Sequence, residues 1–286
     1  MLQILQQGKQ NNQTRKKKET TIPVTKLDIG SYDLEYNKET DAQPFFIWSS
    51  VAKTENGYYL WGLENYMNYL MFFDTKTQKT IPMCNLPNCT HTDDTCNAYF
   101  SGMGVGTDMI WNDALWYYEN YLYIIGCDEE DYVNLYRAKP DGSSREKYMQ
   151  LYKADTASLE DNGAKEYSVP ELMIHRGYIY YIDHKEEKTK LKRVKMGGTE
   201  TEILYETDGV LETEEDKTEL NHVKSYGNYI FFLRSSVFRK EQRELAGLYA
   251  YNIQTGAITY VSSSIERDYI TVVSTKDDCI SYSVCP

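Results

Sequence analysis

The sequence predicts an all-β fold built from repeated four-stranded antiparallel sheets, and three observations support this prediction. Tyrosine accounts for 27 of the 286 residues, and aromatic and β-branched side chains favour strands. Short apolar runs alternate with turn-forming Gly, Asn, Asp and Pro residues along most of the chain. The same succession of runs and turns recurs, most clearly from Ser168 to Tyr205, where Gly177 and the pair Gly197-Gly198 mark tight reversals.

The chain begins with residues 1–43, which are rich in Gln, Asn, Lys, Thr and Glu and have little apolar surface to bury. We therefore expect a flexible N-terminal segment, in which a stretch from Ile22 to Leu34 could form a closing strand. A repeat domain over 44–286 follows. Its first unit opens at Phe45–Trp48 and continues with predicted strands at 58–61, 70–73 and 79–83.

The later units repeat this order of strands. In the second unit we predict strands at 109–117, 121–125, 134–138 and 147–152, and in the third unit we predict strands within 168–175, 176–183 and 191–205. The fourth unit has predicted strands at 221–223, 229–232, 248–252 and 257–261, and the fifth has them at 269–273 and 279–282. The second strands start at Tyr58, Tyr121, Tyr178, Tyr229 and Cys279. These steps of about 50 to 60 residues indicate a structural repeat.

One four-stranded sheet cannot bury both of its faces, so neighbouring sheets must stack. Stacking around an axis gives a β-propeller of four-stranded antiparallel blades. About five blades fit this chain, and two arrangements remain open. The ring closes if the N-terminal strand completes the short fifth unit, or the chain is truncated from a larger ring of six to eight blades.

Composition excludes some classes of partner. The net charge of −12 argues against nucleic acid, and no apolar run approaches the ~18 residues of a transmembrane segment. No export signal precedes the basic cluster at 15–18, which we interpret as a solvated tail. We expect a monomer.

A cysteine-rich insertion at 84–106 carries the strongest chemical signal. Cys84, Cys89, His91 and Cys96 offer three sulfurs and one imidazole in a short stretch around Pro87. Zinc prefers four such ligands in a tetrahedron, and a closed, all-protein set indicates a structural ion. The alternative is a disulfide, from Cys84 or Cys89 to Cys96, in an oxidising compartment. Cys127 and Cys279 fall on or beside predicted strands, as core residues do.

The third unit, Gly-Tyr-Ile-Tyr-Tyr-Ile and then Leu-Lys-Arg-Val with a Gly-containing turn, resembles the propeller repeats of the low-density-lipoprotein-receptor type. It is also similar to related repeats of exported clostridial proteins of unknown function, as is the cysteine segment. The resemblance covers about 45–286 and fits 121–145 and 177–205 best. It implies an extracellular or cell-surface protein. The chain lacks the lipobox cysteine and signal of those proteins, so a complete polypeptide would be cytoplasmic.

No catalytic motif is recognisable. We therefore expect a non-catalytic binding or scaffolding module for an extracellular protein or glycan, recognised by loops on one face of the ring. Tryptophans and tyrosines could line a sugar-binding face, although most should fill the space between sheets. The alternative is a glycan-acting hydrolase or lyase with carboxylates at the propeller axis. A third possibility is a truncated product without independent function.

Overall fold

The computed structural model of the chain describes residues 3–7, 51–64, 67–93, 95–100, 109–153, 171–183, 188–207, 217–238, 243–263, 269–276 and 279–285. These residues form nineteen strands in five sheets, and none of them belongs to a helix. The all-β prediction is therefore confirmed.

The strands are grouped in chain order. Sheet 1 contains β2 (Val51–Lys53), β3 (Gly57–Glu64), β4 (Met67–Asp74) and β5 (Lys79–Pro82), and sheet 2 contains β6 (Met109–Tyr118), β7 (Tyr121–Cys127), β8 (Tyr132–Ala138) and β9 (Glu146–Lys153). Sheet 3 contains β10 (Leu172–His175), β11 (Tyr178–Asp183), β12 (Lys190–Lys195) and β13 (Thr201–Glu206), and sheet 4 contains β14 (Lys217–Tyr226), β15 (Tyr229–Phe238), β16 (Arg243–Asn252) and β17 (Ile258–Ser263). Sheet 5 contains β18 (Tyr269–Lys276), β19 (Cys279–Cys285) and β1 (Gln3–Gln7).

Sheets 1 to 4 are antiparallel meanders. Each strand pairs with the one that follows it in the chain. Such a sheet needs only short reversals, which the sequence supplies with Gly, Asn and Asp. The second strands of sheets 2 to 5 begin at the tyrosines and the cysteine that the repeat predicted, so the predicted four-stranded units are confirmed.

The N-terminal strand β1 belongs to sheet 5. It runs parallel to β19, with Gln3 opposite Cys279 and Gln7 opposite Ser283, while β18 and β19 are antiparallel. Residues from both ends of the chain therefore share one sheet. The closing strand that we expected at 22–34 and the opening run at 45–48 lie outside the described residues.

Sheets 1 and 2, sheets 3 and 4, and sheets 4 and 5 approach one another at their first strands. β2 lies against β6, β10 against β14, and β14 against β18. The last strands of sheets 1 and 3 face solvent in part, since Ile81 on β5 is 51% exposed and Ile203 on β13 is 52% exposed. Sheets that converge at an inner edge and diverge outwards are the blades of a propeller. The chain therefore has a propeller-type repeat fold.

The inner strands are buried on both faces. On β7, Leu122 and Ile124 pack towards sheet 1, whereas Tyr123 and Ile125 pack towards sheet 3. β11 divides its residues in the same way between sheets 2 and 4. Successive side chains of a strand point to opposite faces, so burial of both faces requires the nearly continuous apolar runs seen in the sequence.

Sheets 2 and 3 share a side-chain arrangement on their third strands. Arg137 on β8 lies over the ring of Tyr121 at 4.6 Å from its centroid, and Arg193 on β12 lies over Tyr178 at 4.9 Å. Each arginine also pairs with a glutamate on the fourth strand. The equivalent register position of sheet 4 is Ala250. Sheets 2 and 3 contain the stretches 121–145 and 177–205, which fit the repeat pattern best, and these arginines are the last residues of its Leu-x-Arg part.

The residues of a tight turn in sheet 3 contact a turn of sheet 4. Arg176 and Gly177 have φ angles of 49° and 77° between β10 and β11, a conformation that glycine accepts readily. The buried His175 beside them donates from Nε2 to the carbonyl oxygen of Gly227 at 2.8 Å. His175 therefore connects the turns of adjacent sheets.

Aromatic rings fill the spaces between the sheets. Tyr152 of sheet 2 stacks on Tyr181 of sheet 3 with centroids 5.7 Å apart, and Trp116 is only 1% exposed. These rings are core residues, as we expected of most aromatic side chains. No helix in the described part of the chain is long and apolar enough to cross a membrane.

The stacking of the sheets predicts a contrast between two isoleucines. Ile182 is fully buried between sheets 3 and 4, so Ile182→Ala should lower the free energy of unfolding by about 2–5 kcal/mol. Ile203→Ala, on the exposed outer strand, should change it by less than about 0.5 kcal/mol. Urea unfolding followed by tryptophan fluorescence measures both, and equal effects would contradict the two-faced packing.

Candidate metal centre

The cysteine segment lies between β5 of sheet 1 and β6 of sheet 2. The sulfurs of Cys84, Cys89 and Cys96 and a ring nitrogen of His91 all lie within 4.8 Å of one another. Sulfur ligands of a tetrahedral zinc ion are about 3.8 Å apart, because zinc–sulfur bonds are about 2.3 Å long. The fold thus brings together all four ligands that the sequence indicated, close enough to bind a metal ion.

Local turns bring these side chains together. Cys89 donates its backbone N–H to the carbonyl of Leu86 at 3.4 Å, and Asn88 between them has a φ of 59°. Pro87 followed by a residue of positive φ is the pattern of a type II turn. His91 also has a positive φ, of 57°. The backbone therefore reverses sharply on both sides of Cys89, which turns its side chain and that of His91 inwards.

A second turn positions Cys96. The carboxylate of Asp93 accepts the backbone N–H of Thr95 at 3.0 Å, and Cys96 donates its own N–H to the carbonyl of Asp93 at 3.2 Å. Aspartate commonly closes such a turn onto the backbone two residues ahead. The turn leaves the Cys96 side chain only 1% exposed, so this sulfur forms the buried wall of the cluster.

The cluster favours one thiolate over another. Burial alone would raise the pKa of Cys84, but the backbone N–H groups of Leu86 and Asn97 and the neighbouring thiols lower it below the ordinary value. Burial, and after it the neighbouring Cys84 and Cys89, raise the pKa of Cys96 to about 12. Nδ1 of His91 lies 3.2 Å from the Cys96 sulfur. All three cysteines are free thiols in this structure, and a metal ion would deprotonate them.

The second half of the segment returns to sheet 1. Ala98 accepts the backbone N–H of Leu70 on β4 at 2.7 Å, and Tyr99 forms a bridge with Tyr69. Tyr69, Cys96 and Ala98 form a small buried cluster against the ligand cysteines. The candidate centre is therefore attached to sheet 1 by main-chain hydrogen bonds and by apolar packing.

Sheet 2 holds the same segment through Arg145. This guanidinium donates to the carbonyl oxygens of Cys96 at 3.3 Å, of Tyr99 at 2.5 Å and of Asn97, and it lies 4.3 Å from the ring centroid of Phe100. Burial lowers the pKa of Arg145, while the nearby sulfurs of the cluster raise it. One side chain therefore bonds three carbonyls of the irregular backbone, of which that of Cys96 also accepts the N–H of Tyr99 at 3.0 Å.

The turn that precedes Arg145 also docks on the segment. Gly142 has a φ of 79°, and a Cβ there would lie 2.3 Å from the carbonyl oxygen of Met83 and 2.7 Å from that of Asn97. The side chain of Asn85 donates to Asp141 at 3.1 Å. Nothing in the sequence near the Pro-Asp-Gly turn at 140–142 indicated that this turn and Arg145 contact the cysteine segment.

Outside the cysteine segment, Asp128 has a structural role. Asp128 pairs with Lys147 at 2.9 Å and accepts the N–H of Tyr132 at 2.9 Å, so it closes its own hairpin. The Gly-rich loop at 102–106 and His184 are outside the described residues. The first and last residues of β19, Cys279 and Cys285, are ~20 Å apart along one strand, too far for a disulfide between them.

No protein-family model matches the chain, and no curated protein matches it either. Among solved structures, an oligogalacturonate lyase in complex with manganese is similar at TM-score 0.41 and 11% identity, over 75% of this chain and 53% of that one. A putative TolB from Agrobacterium tumefaciens has TM-score 0.38 and 10% identity, over 79% of this chain and 65% of that one. A nidogen/laminin complex has TM-score 0.30 and 9% identity, over 81% of each chain. The chain thus spans about half the length of the lyase.

The arginine contacts predict a specific loss of stability. In Arg145→Lys a single ammonium cannot reach the carbonyls of Cys96, Asn97 and Tyr99 together, so the free energy of unfolding should fall by about 1–3 kcal/mol. The backbone N–H of Tyr99 donates to the carbonyl oxygen of Cys96 at 3.0 Å, and its hydrogen exchange should become faster in the variant. The control Lys188→Ala, which removes a surface ion pair with Glu206, should cost at most about 1 kcal/mol. An unchanged Tyr99 exchange rate would rule out this role of Arg145.

Proposed function

We propose that the chain is a non-catalytic propeller module for binding or scaffolding, stabilised by a structural zinc ion. Cys84, Cys89, His91 and Cys96 would hold the ion. The observation that supports this most is the convergence of four soft ligand atoms within 4.8 Å around a segment that packs against two sheets. Four protein ligands complete a zinc tetrahedron and leave no open position for a substrate, so the ion would serve the fold.

The donor set favours zinc over the other common ions. Thiolate sulfur is a soft ligand and imidazole is a common zinc ligand, whereas calcium and magnesium take oxygen ligands. The backbone N–H of Ala98 points at the Cys96 sulfur at 3.4 Å, and such hydrogen bonds stabilise metal-bound thiolates. A disulfide would use two of the three sulfurs and leave His91 and the third without a function. Zinc accounts for all four side chains.

The ligand of the module is proposed on more general grounds. Loops that join the strands of a propeller lie at the two ends of its sheets, where they can present a binding surface without disturbing the core. We expect an extracellular or cell-surface protein or glycan as ligand, as the resemblance of the repeats implies. A net charge of −12 disfavours an anionic partner such as nucleic acid.

Zinc binding predicts a defined metal content. Protein purified under reducing conditions should contain one zinc ion per chain by mass spectrometry of the metals, and Cys89→Ser should lose most of it because a ligand is missing. Cys127→Ala removes a buried cysteine outside the cluster and should keep the metal. Reduced protein without stoichiometric metal, or with two fewer titratable thiols than its sequence provides, would refute zinc and favour a disulfide.

The non-catalytic assignment predicts binding without turnover. A glycan array and a panel of extracellular matrix proteins should reveal a ligand that is recovered unchanged after long incubation. Polysaccharides assayed for new reducing ends or unsaturated products should remain intact. Release of products that depends on carboxylates near the propeller axis would overturn the proposal in favour of a hydrolase or lyase.

A further inference from the structure

The first strand of sheet 4 contains a β-bulge near its middle. Asn221 is paired with Leu233 and Lys224 with Phe231, so His222 and Val223 together face one residue of β15. His222 has a φ of 59°, an uncommon conformation for a residue other than glycine. A bulge of this kind turns backbone N–H groups away from the ladder of strand hydrogen bonds. These N–H groups need another acceptor.

That acceptor comes from sheet 3. Oε2 of Glu171, directly before β10, accepts the N–H of Val223 at 3.2 Å, and the N–H of His222 also bonds this carboxyl group. The carbonyl of Glu171 is fixed in turn by the N–H of Ile182 at 3.1 Å. Two successive N–H groups around a left-handed residue form a concavity suited to an anion.

A buried cation lies beside this concavity. Lys224 is 4% exposed, and its Nζ has no hydrogen-bond partner among the described residues. Nδ1 of His222 is likewise buried and without a partner there. An ammonium group so far from water requires a nearby negative charge. Of the described groups, the carboxyl of Glu171 is the one whose charge stabilises the ammonium.

We propose that the bulge of β14, with the N–H groups of His222 and Val223 and the ammonium of Lys224, is a carboxylate-binding site, and that Glu171 fills it to latch sheet 3 to sheet 4. The ligand class follows from the donors, which match one carboxylate in charge and in hydrogen bonding. This site is independent of the metal centre.

The latch depends on pH. Burial raises the pKa of Glu171 to about 7, although the N–H groups and Lys224 act to lower it. The contribution of this pKa shift to the stability of the fold is therefore fully present below pH 4.5 or so and is lost as pH rises through about 7. Burial lowers the pKa of Lys224 to about 8, although the charge of Glu171 acts to raise it. The contribution of this second pKa shift to the stability of the fold is present above pH 10.5 or so and is lost as pH falls through about 8. Burial and Lys224 lower the pKa of His222. Between pH 7 and 8 both groups are charged in the folded protein, and below this range Glu171 is neutral while Lys224 keeps its charge.

Replacing the internal carboxylate by a free one tests the site. Glu171→Gly should open a space that acetate enters, so sodium acetate should slow amide exchange of Val223 on the order of tenfold, the factor expected of one charge-assisted hydrogen bond. Sodium chloride at equal ionic strength should have no such effect. The wild type, whose site is filled, and the double variant Glu171→Gly with Lys224→Met should not respond to acetate.

A measurement on the unaltered protein keeps the proposal testable if Glu171→Gly does not fold. Carboxyl carbon and amide nitrogen shifts, recorded from pH 5 to 9, should show Val223 titrating together with Glu171. Glu171→Gln should abolish that transition and leave the sheets paired. The proposal would be overturned if the Val223 amide shift did not change as Glu171 titrates. It would also be overturned if acetate and chloride had the same effect on the amide exchange of Val223 in Glu171→Gly.

Discussion

Burial of strands on both faces is the constraint on which the rest of this structure depends. β7 and β11 carry apolar side chains that point alternately towards the preceding and the following sheet. Each fully buried large side chain contributes about 1.5–3 kcal/mol relative to exposure. A sheet isolated from its neighbours would lose this contribution on two faces, so each sheet is stable because of the sheets beside it.

The connections between sheets adapt this general packing to particular junctions. Between sheets 3 and 4, His175 reaches the carbonyl of Gly227 and Glu171 reaches the bulge at Val223. Between sheets 1 and 2, the cysteine segment bonds β4 on one side and Arg145 on the other. The polar links fix how the sheets meet, whereas the apolar interfaces supply most of the stabilisation.

The repeated units and the grouping of Cys84, Cys89, His91 and Cys96 could be predicted from the sequence for clear physical reasons. Strands with two buried faces have strong apolar runs, and turns of positive φ select Gly and Asn. The cysteine segment was recognisable because its ligands are close in the chain. Arg145 and Glu171 could not be found in this way, since each acts on a segment that is remote in sequence, and an isolated charged residue has no pattern that reveals a buried partner. The parallel pairing of β1 with β19 likewise joins the two ends of the chain.

Native-state hydrogen exchange of the inner strands tests the mutual dependence of the sheets most directly. With increasing urea, the amides of β7, β11 and β15 should converge on one opening free energy with one denaturant dependence, because loss of either neighbour exposes a face of the sheet between. The account would be contradicted if the amides of β7 exchanged in an opening reaction during which those of β11 and β15 stayed fully protected. Sheet 2 would then unfold while sheet 3 stayed folded.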